Sequence, residues 1–299
     1  MVATEKINDC NICYLLDPPI HIREYYKYCT KLLKNALKRN DKPLNVILGP
    51  FNHPFYPPVI KIDIQCEHTL VKEGGRSVEK KYFGRIKTNE GGYYLVRIDK
   101  YDYLNTLDFI IEYSQPNLLN MKESGYFESY INKNIYIAPL IYEQDFNKEF
   151  KKNTITLFNS GDSDRRSNFT HKMALNRADC TNINNCFTEE SLSYLYKATK
   201  IMINVHQTDH HHTFEELRVL PALCNGVIIV SESVPLKETI PYNEFIVWSD
   251  YSNLVETVVN VQNNYEEYYN KIFNDNLRSL LKTMESQNNN NIFEKIIRQ

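Results

Sequence analysis

The residues best suited to chemistry crowd into one segment, Asn204-Val-His-Gln-Thr-Asp-His-His-His-Thr-Phe-Glu-Glu-Leu-Arg218. It holds four of the chain's eight histidines (His206, His210, His211 and His212), followed by two carboxylates and an arginine. Residues 201–205 before it read as a buried strand, and residues 214–224 after it have the apolar period of a helix. Side chains between a strand's carboxyl end and a helix stand where α/β proteins bind ligands. Thr213, with Glu216 three residues later, has the form of a capping box and is expected to start the helix. Such a start offers unpaired N–H groups and the positive end of the helix dipole to an anion such as a diphosphate. Glu215 or Glu216 then accepts hydrogen bonds from a ribose diol, or both simply favour the first helical turn. The histidines either donate to phosphate and sugar oxygens or, at His210 and His211, form a solvated loop. Adjacent histidines converge poorly on one ion, so no metal site is expected.

The chain around this segment has 299 residues, enough for one large domain or two ordinary ones. Its hydrophobic content of 42% and charged content of 24% are those of a soluble globular protein. A net charge of -2 leaves no basic excess for phosphates, so nucleic acid is not an expected partner. No apolar run has membrane-spanning length, and the first residues lack a signal-peptide pattern. Seven scattered cysteines, an odd number, read as reduced thiols in a cytoplasmic protein. Cys10-Asn-Ile-Cys13 has redox spacing, but it lies in an apolar run and reads as core thiols.

Strand-like and helix-like stretches alternate, which predicts two α/β domains, 1–148 and 149–299, with a cleft between them. In the first, strands are expected at 11–16, 44–49, 59–65, 94–98, 107–113 and 134–138. Helices are expected at 23–38 and from Leu118, with a proline-rich loop at 50–58 and a surface excursion over 72–92. Residues 144–153 read as a linker. The second domain has expected strands at 154–158, 201–205, 227–230 and 245–248, and helices at 189–198 and 214–224. A long helical region over 254–284 precedes a polar break at 287–291. A last short helix at 292–297 could reach back to the first domain.

Several of these stretches, in order, match one known pattern. Asn204-Val-His206, Glu215-Glu-Leu-Arg218, Pro221-Ala-Leu223, Gly226 and Ile229-Val-Ser-Glu232 resemble the donor-site segment of GT-B glycosyltransferases. The likeness is to the bacterial and viral group related to the large retaining nucleotide-sugar transferase family. Leu157-Phe-Asn-Ser-Gly161 with Arg165-Arg166 resembles the start of that family's nucleotide-binding domain. Ile64-Gln-Cys-Glu67-His68, the segment from Asp108 to Asn117, and Ile135 to Tyr142 resemble parts of its N-terminal domain and linker. The resemblance spans residues 44–250. The family's commoner Glu-x7-Glu pair is absent, because Thr213 and Pro221 stand at its two positions.

The resemblance implies an α/β protein of the GT-B type, two Rossmann-like domains facing across a cleft. It implies transfer of a sugar from a nucleotide-diphosphate-sugar donor to a glycan or other hydroxyl acceptor, with no cofactor required. Donor binding would fall to Gly161, Arg165, Arg166, His206, His212, Thr213, Phe214, Glu215 and Arg218. The helix start at Thr213-Phe214 and Arg165 or Arg166 would stabilise the leaving diphosphate. Glu215 would hold the ribose, and Arg218 would hold Glu215 by an (i, i+3) pair. The catalytic candidates are Glu67, His53 and His206, with Glu67 the first choice for the acceptor-side base. His68, Ser114 and Asn117 would line the acceptor side, the last two alternatively capping the helix that follows. Arg165 and Arg166 have the alternative of surface ion pairs with Asp162 or Asp164. Two other functions compete. One is a metal-dependent phosphoesterase built on Asp209-His210-His211; the other is a nucleotide-sugar-binding protein without turnover.

Overall fold

The computed structural model describes residues 1–72, 82–87, 93–158, 163–184, 186, 188–208 and 213–298. The chain opens with a hairpin of β1 (Val2–Ile7) and β2 (Cys10–Leu15). Helix α1 (Arg23–Leu37) leads to β3 (Asn45–Leu48) and then β4 (Val59–Gln65). β5 (Leu70–Lys72), β6 (Tyr82–Lys87) and β7 (Tyr93–Arg97) make a small antiparallel sheet of their own, in the order β5-β7-β6. The short helix α2 (Tyr101–Leu104) returns the chain to β8 (Phe109–Glu112). α3 (Gln115–Glu123) and α4 (Glu128–Ile131) precede β9 (Asn134–Tyr136). The first large sheet runs β1-β2-β3-β4-β8-β9, parallel apart from the opening hairpin.

The second large sheet is built from β10 (Asn153–Thr156), β11 (Thr181–Asn182), β12 (Thr199–Asn204), β13 (Ile228–Glu232) and β14 (Val247–Ser249). All of its pairings are parallel. Between the strands run α5 (Asp164–Leu175), α6 (Glu189–Ala198) and α7 (Glu216–Cys224). β13 is buried along its whole length, as a central strand covered on both faces must be. At the end of α7, Gly226 takes φ +67 and Val227 N–H closes back on Ala222 O at 3.2 Å. A Cβ there would lie 3.1 Å from the Phe146 backbone, so glycine is needed for the approach as well as the turn. α8 (Leu254–Asn263), α9 (Tyr265–Ile272) and α10 (Asp275–Ile292) follow, and a short π-helical turn over Phe293–Ile297 stands where the last short helix was expected.

The two large sheets differ in winding. In the first, β2, β3, β4, β8 and β9 follow one another in chain order. In the second the order is β11-β10-β12-β13-β14, so the winding reverses between β10 and β12. A parallel sheet opens a crevice outside the strand ends at such a reversal, because the flanking connections leave to opposite faces. Topology therefore directs attention to the carboxyl ends of β10 and β12.

Several sequence expectations need correction. β1 was not expected, although Asn8 with φ 53 makes the tight turn that pairs it with β2. The surface excursion contains β6, while residues 73–81 and 88–92 lie outside the described residues. Helix α5 was not expected either; Ser163 caps it, accepting from the Arg166 N–H. α3 starts at Gln115 instead of Leu118, with Ser114 as its cap. The supposed polar break at 287–291 lies inside α10. There Asn288, 1% exposed, takes the place of a strand partner for the segment past β9. Its Oδ1 accepts from Ala138 N–H at 2.9 Å, and its Nδ2 donates to Ala138 O at 2.8 Å and Tyr28 Oη at 3.0 Å. Asn291 likewise donates to Tyr136 O at 3.0 Å. Ile292, Ile296 and Ile297 then bury themselves in the same core as Tyr25, Cys29 and Leu33 of α1.

Replacing Asn288 with Ala would strand a buried N–H and a buried C=O. Stability in a urea titration is expected to fall by about 2–4 kcal/mol. A loss below about 0.5 kcal/mol would mean that water satisfies both groups equally well.

Candidate functional site

A cleft of about 370 Å³ opens at the reversal between β10 and β12. Leu157 and Phe158, just past β10, form an apolar wall with Ile183 and Tyr196. Arg166, Glu215 and Arg218 supply its charge, and His21, Cys66 and His68 line it from the first sheet's side. Residues far apart in the chain meet here because both sheets point strand ends at one space.

Glu215 sits at the N-cap position of α7 with its side chain 25% exposed. Burial pushes its carboxyl upward, but Arg218, His68 and Arg166 outweigh burial and hold it well below the usual carboxylate range. The nearest contacts are His68 Nε2 at 3.6 Å and Arg218 Nη2 at 4.0 Å. Tyr196 donates to the Arg218 carbonyl at 3.3 Å, which fixes the turn that carries the arginine. Glu216, the next residue, is in the opposite environment. It is fully buried, accepts from Tyr242 Oη at 2.9 Å, and burial lifts its carboxyl to about 7 against the hydroxyls of Ser114 and Tyr242.

The expected capping box does not form. α7 starts at Glu216 with no side-chain cap, and the buried Thr213 hydroxyl has no hydrogen-bond partner. Phe214 decides this: it is buried 4.9 Å from the Trp248 ring and 6.3 Å from Tyr242, which holds residues 213–215 out of the helix. The N–H of Glu216 already donates to Phe214 O and that of Arg218 to Glu215 O, each at 2.9 Å. The start of α7 thus offers an anion less than the sequence promised, and the arginines more.

Arg165 and Arg166 both leave the start of α5, and Asp162, one of their two expected partners, lies outside the described residues. Arg165 forms a two-pronged pair with Glu232 at the end of β13, at 2.7 and 2.5 Å, and lies 3.7 Å over the Tyr251 ring. Glu232 also accepts from the His206 backbone N–H at 3.2 Å, and His206 Nδ1 stands 3.4 Å from its other oxygen. His206, 3% exposed, is thereby held at the end of β12. Arg166 donates to Val205 O through Nε at 3.3 Å and Nη2 at 3.2 Å, and its guanidinium lies 4.9 Å from the Phe158 ring. Glu232 was not among the expected site residues; its place at the end of the strand after β12 was the signal available.

On the first sheet, Glu112 is fully buried at the end of β8. Burial lifts its carboxyl to about 8, against hydrogen bonds from Asn117 Nδ2 at 3.0 Å and Ser114 N–H at 3.1 Å, with Glu216 adding repulsion. Asn117 also accepts from Thr69 Oγ1 at 2.9 Å, and the Ser114 hydroxyl accepts from the Asn117 N–H. Ser114 and Asn117 are therefore a cap and a buried connector, not open lining. Glu67 follows β4, its N–H donating to Gln65 Oε1 at 2.8 Å, and its side chain lies beside His21 and Cys66. Burial pushes the Cys66 thiol up to about 12. His53 is not brought to this site. The loop after β3 turns it to the sheet edge, 3.3 Å from Thr4 Oγ1 and against Phe55. Gly161, Asp162, His212 and the Asp209-His210-His211 motif lie outside the described residues. Cys10 and Cys13 are buried thiols on β2, and no disulfide links any of the seven cysteines.

No family model matches the chain. The uncharacterized protein R358 of Acanthamoeba polyphaga mimivirus is 31% identical over 220 residues, which are 67% of this chain and 74% of that protein. The chain belongs to the R358 family. Among solved structures, the crystal structure of the GtfA/B complex bound to UDP and GlcNAc aligns with 92% of this chain at 11% identity. The TM-score is 0.34, an overlap too loose to assign a fold, and the chain spans 60% of that structure's length. Among the described residues no helix is long and apolar enough to cross a membrane.

The raised carboxyls of this family member have a thermodynamic consequence. Glu112 and Glu216 bind protons more tightly folded, at about 8 and about 7, than unfolded, at 4.5. Their contribution is full below the unfolded value and is lost as pH rises through the folded ones. The melting temperature is expected to drop between about pH 5 and 8. A Glu112→Gln, Glu216→Gln variant should show a flatter profile. Parallel profiles would contradict the assignment.

Proposed function

We propose that this protein is a glycosyltransferase of the GT-B type, moving a sugar from a nucleotide-diphosphate-sugar donor to a glycan or other hydroxyl acceptor. The observation that carries the reading is Glu215, ionised in the cleft at the sheet reversal with Arg166 and Arg218 beside it. A fixed carboxylate suits a ribose diol, which offers two O–H donors in a fixed geometry. Guanidinium groups a few ångströms away suit the diphosphate. The wall of Phe158, Ile183 and Tyr196 suits a base that must leave water.

In this reading residues 1–148 and 149–299 are the two domains, soluble in the cytoplasm, the second holding the donor and the first presenting the acceptor. Glu215 orients the donor. The acceptor oxygen attacks the anomeric carbon, and the bond to the diphosphate breaks with its electron pair going to the leaving group. Arg166 and Arg218 stabilise that growing charge without a required metal. Arg165 acts indirectly, holding Glu232 and through it His206 at the cleft's edge. The acceptor proton passes to a group on the first domain, Glu67 or His68. Gly161 and His212 complete the donor loops in this scheme.

A thermal-shift screen against UDP, GDP, ADP, CDP and their sugars in EDTA tests the reading. One nucleoside diphosphate should raise the melting temperature, since a ligand of the native state stabilises it in proportion to occupancy. Glu215→Ala should weaken that ligand about tenfold or more, the effect of losing a charged hydrogen-bond partner. No shift with any nucleotide would sink the proposal. Donor binding without transfer or hydrolysis would leave a nucleotide-sugar-binding protein, and a manganese-dependent activity would favour the phosphoesterase.

A further inference from the structure

Among the described residues, one group combines the three donor types of a transition-metal site. The ligand atoms of His21, Cys66 and Glu67 all lie within 4.8 Å of one another. We infer that this cluster binds a zinc-class divalent ion at the rim of the cleft. Imidazole, thiolate and carboxylate are a donor set suited to zinc, and three protein ligands leave a fourth position open. His21 and Cys66 both line the cleft, so the ion borders the space into which substrates enter.

The local structure builds the cluster deliberately enough to hold an ion. Consecutive residues of a strand point to opposite faces, so Cys66 and Glu67 could not share a ligand inside β4. Gln65 ends the strand: its side chain accepts from the Glu67 N–H at 2.8 Å and donates to the Glu67 carbonyl, curling the chain. Asn117 reaches the same carbonyl at 3.5 Å and is itself fixed by Glu112 and Thr69. His21 comes from a single 3-10 turn, Ile20–Ile22, anchored by Ile22, which is 9% exposed, and by the Ile22 N–H to Pro19 O bond at 3.1 Å. A thiolate and a carboxylate neutralise a divalent ion, so binding places no net charge in a partly apolar cleft. The thiol proton leaves to solvent on binding. An ion held there occupies Glu67, and His68 is then the remaining first-sheet group able to receive an acceptor proton.

Cobalt(II) titration of the full chain tests this without any activity, so its failure is distinct from a failure to bind nucleotides. About one ion per chain should bind, with a thiolate-to-cobalt charge-transfer band in the near ultraviolet and strong visible bands of four-coordinate cobalt. Added zinc should remove both. Cys66→Ser should abolish the charge-transfer band, while Cys186→Ser should retain it. His21→Ala, an exposed change that spares the core, should weaken binding about tenfold or more. The inference is overturned if no charge-transfer band forms, if the band survives Cys66→Ser, or if His21→Ala binds as tightly as the parent.

Discussion

The cleft depends on keeping one carboxylate charged where its surroundings favour the neutral form. Glu215 and Glu216 are chain neighbours with the same chemistry, yet they are driven apart. Glu216 turns inward against Tyr242, where burial lifts it to about 7. Glu215 turns toward Arg218, His68 and Arg166, and charge and hydrogen bonding from these side chains overcome its desolvation. The two acids have separated proton affinities: one holds a proton and packs, the other holds a charge and lines the cleft. The split needs the non-helical turn at 213–215, which the burial of Phe214 enforces. The failed capping box is therefore part of how the site works, since a regular helix start would have rotated both carboxylates.

A second layer of ion pairs supports this arrangement from behind. Glu232 gathers Arg165, the backbone of His206 and its ring, so the ends of β12 and β13 and the start of α5 share one anchor. A two-pronged arginine pair fixes direction as well as distance, and the Tyr251 ring beneath the guanidinium limits its swing. Arg166 is tied to Val205 O on the same strand end. The two arginines look alike in sequence but have different anchors: Arg165 pairs with the Glu232 carboxylate and Arg166 with the Val205 carbonyl. Arg166 is also one of the charges that hold the Glu215 carboxyl down, after Arg218 and His68.

Much of the fold was legible where one signal dominates. The apolar runs of β3, β4, β12 and β13 and the helical period of α1 and α6 were read close to their true limits, because burial on regular faces writes itself into composition. The errors came where a tertiary partner overrode local preference. Asn-rich residues in α10 looked like a break because asparagine favours turns, yet Asn288 is helical since Ala138 needs its amide. α5 was missed because most of its length is polar and only Arg166, Phe169 and Met173 are buried. At the site, the Glu215–Arg218 pair could be read from spacing, whereas His68 against Glu215 joins residues 147 positions apart and has no local signature. The His21–Cys66–Glu67 group was invisible for the same reason. His21 lies in a proline-flanked turn with no motif around it, and only the fold brings it to β4.

What fixes the two sheets relative to one another also fixes the cleft between their strand ends. α10 is a continuous helix of 18 residues, about 27 Å long at 1.5 Å per residue. Its first turns place Leu277, Leu281 and Met284 in the core of the second sheet, and its end places Ile292 in the core of the first. Asn288, between these anchors, is bonded to the segment that follows β9. A helix resists bending, so a strut seated in both cores transmits the position of one sheet to the other. The His68–Glu215 contact crosses the cleft at 3.6 Å, with both partners about a quarter exposed. The two sheets are thus joined by a packed helix and, across the cleft, by a partly exposed pair of side chains. His68, Glu215 and Cys66 all border the cleft, so the spacing of the two sheets sets its width and the surroundings of Glu215 together.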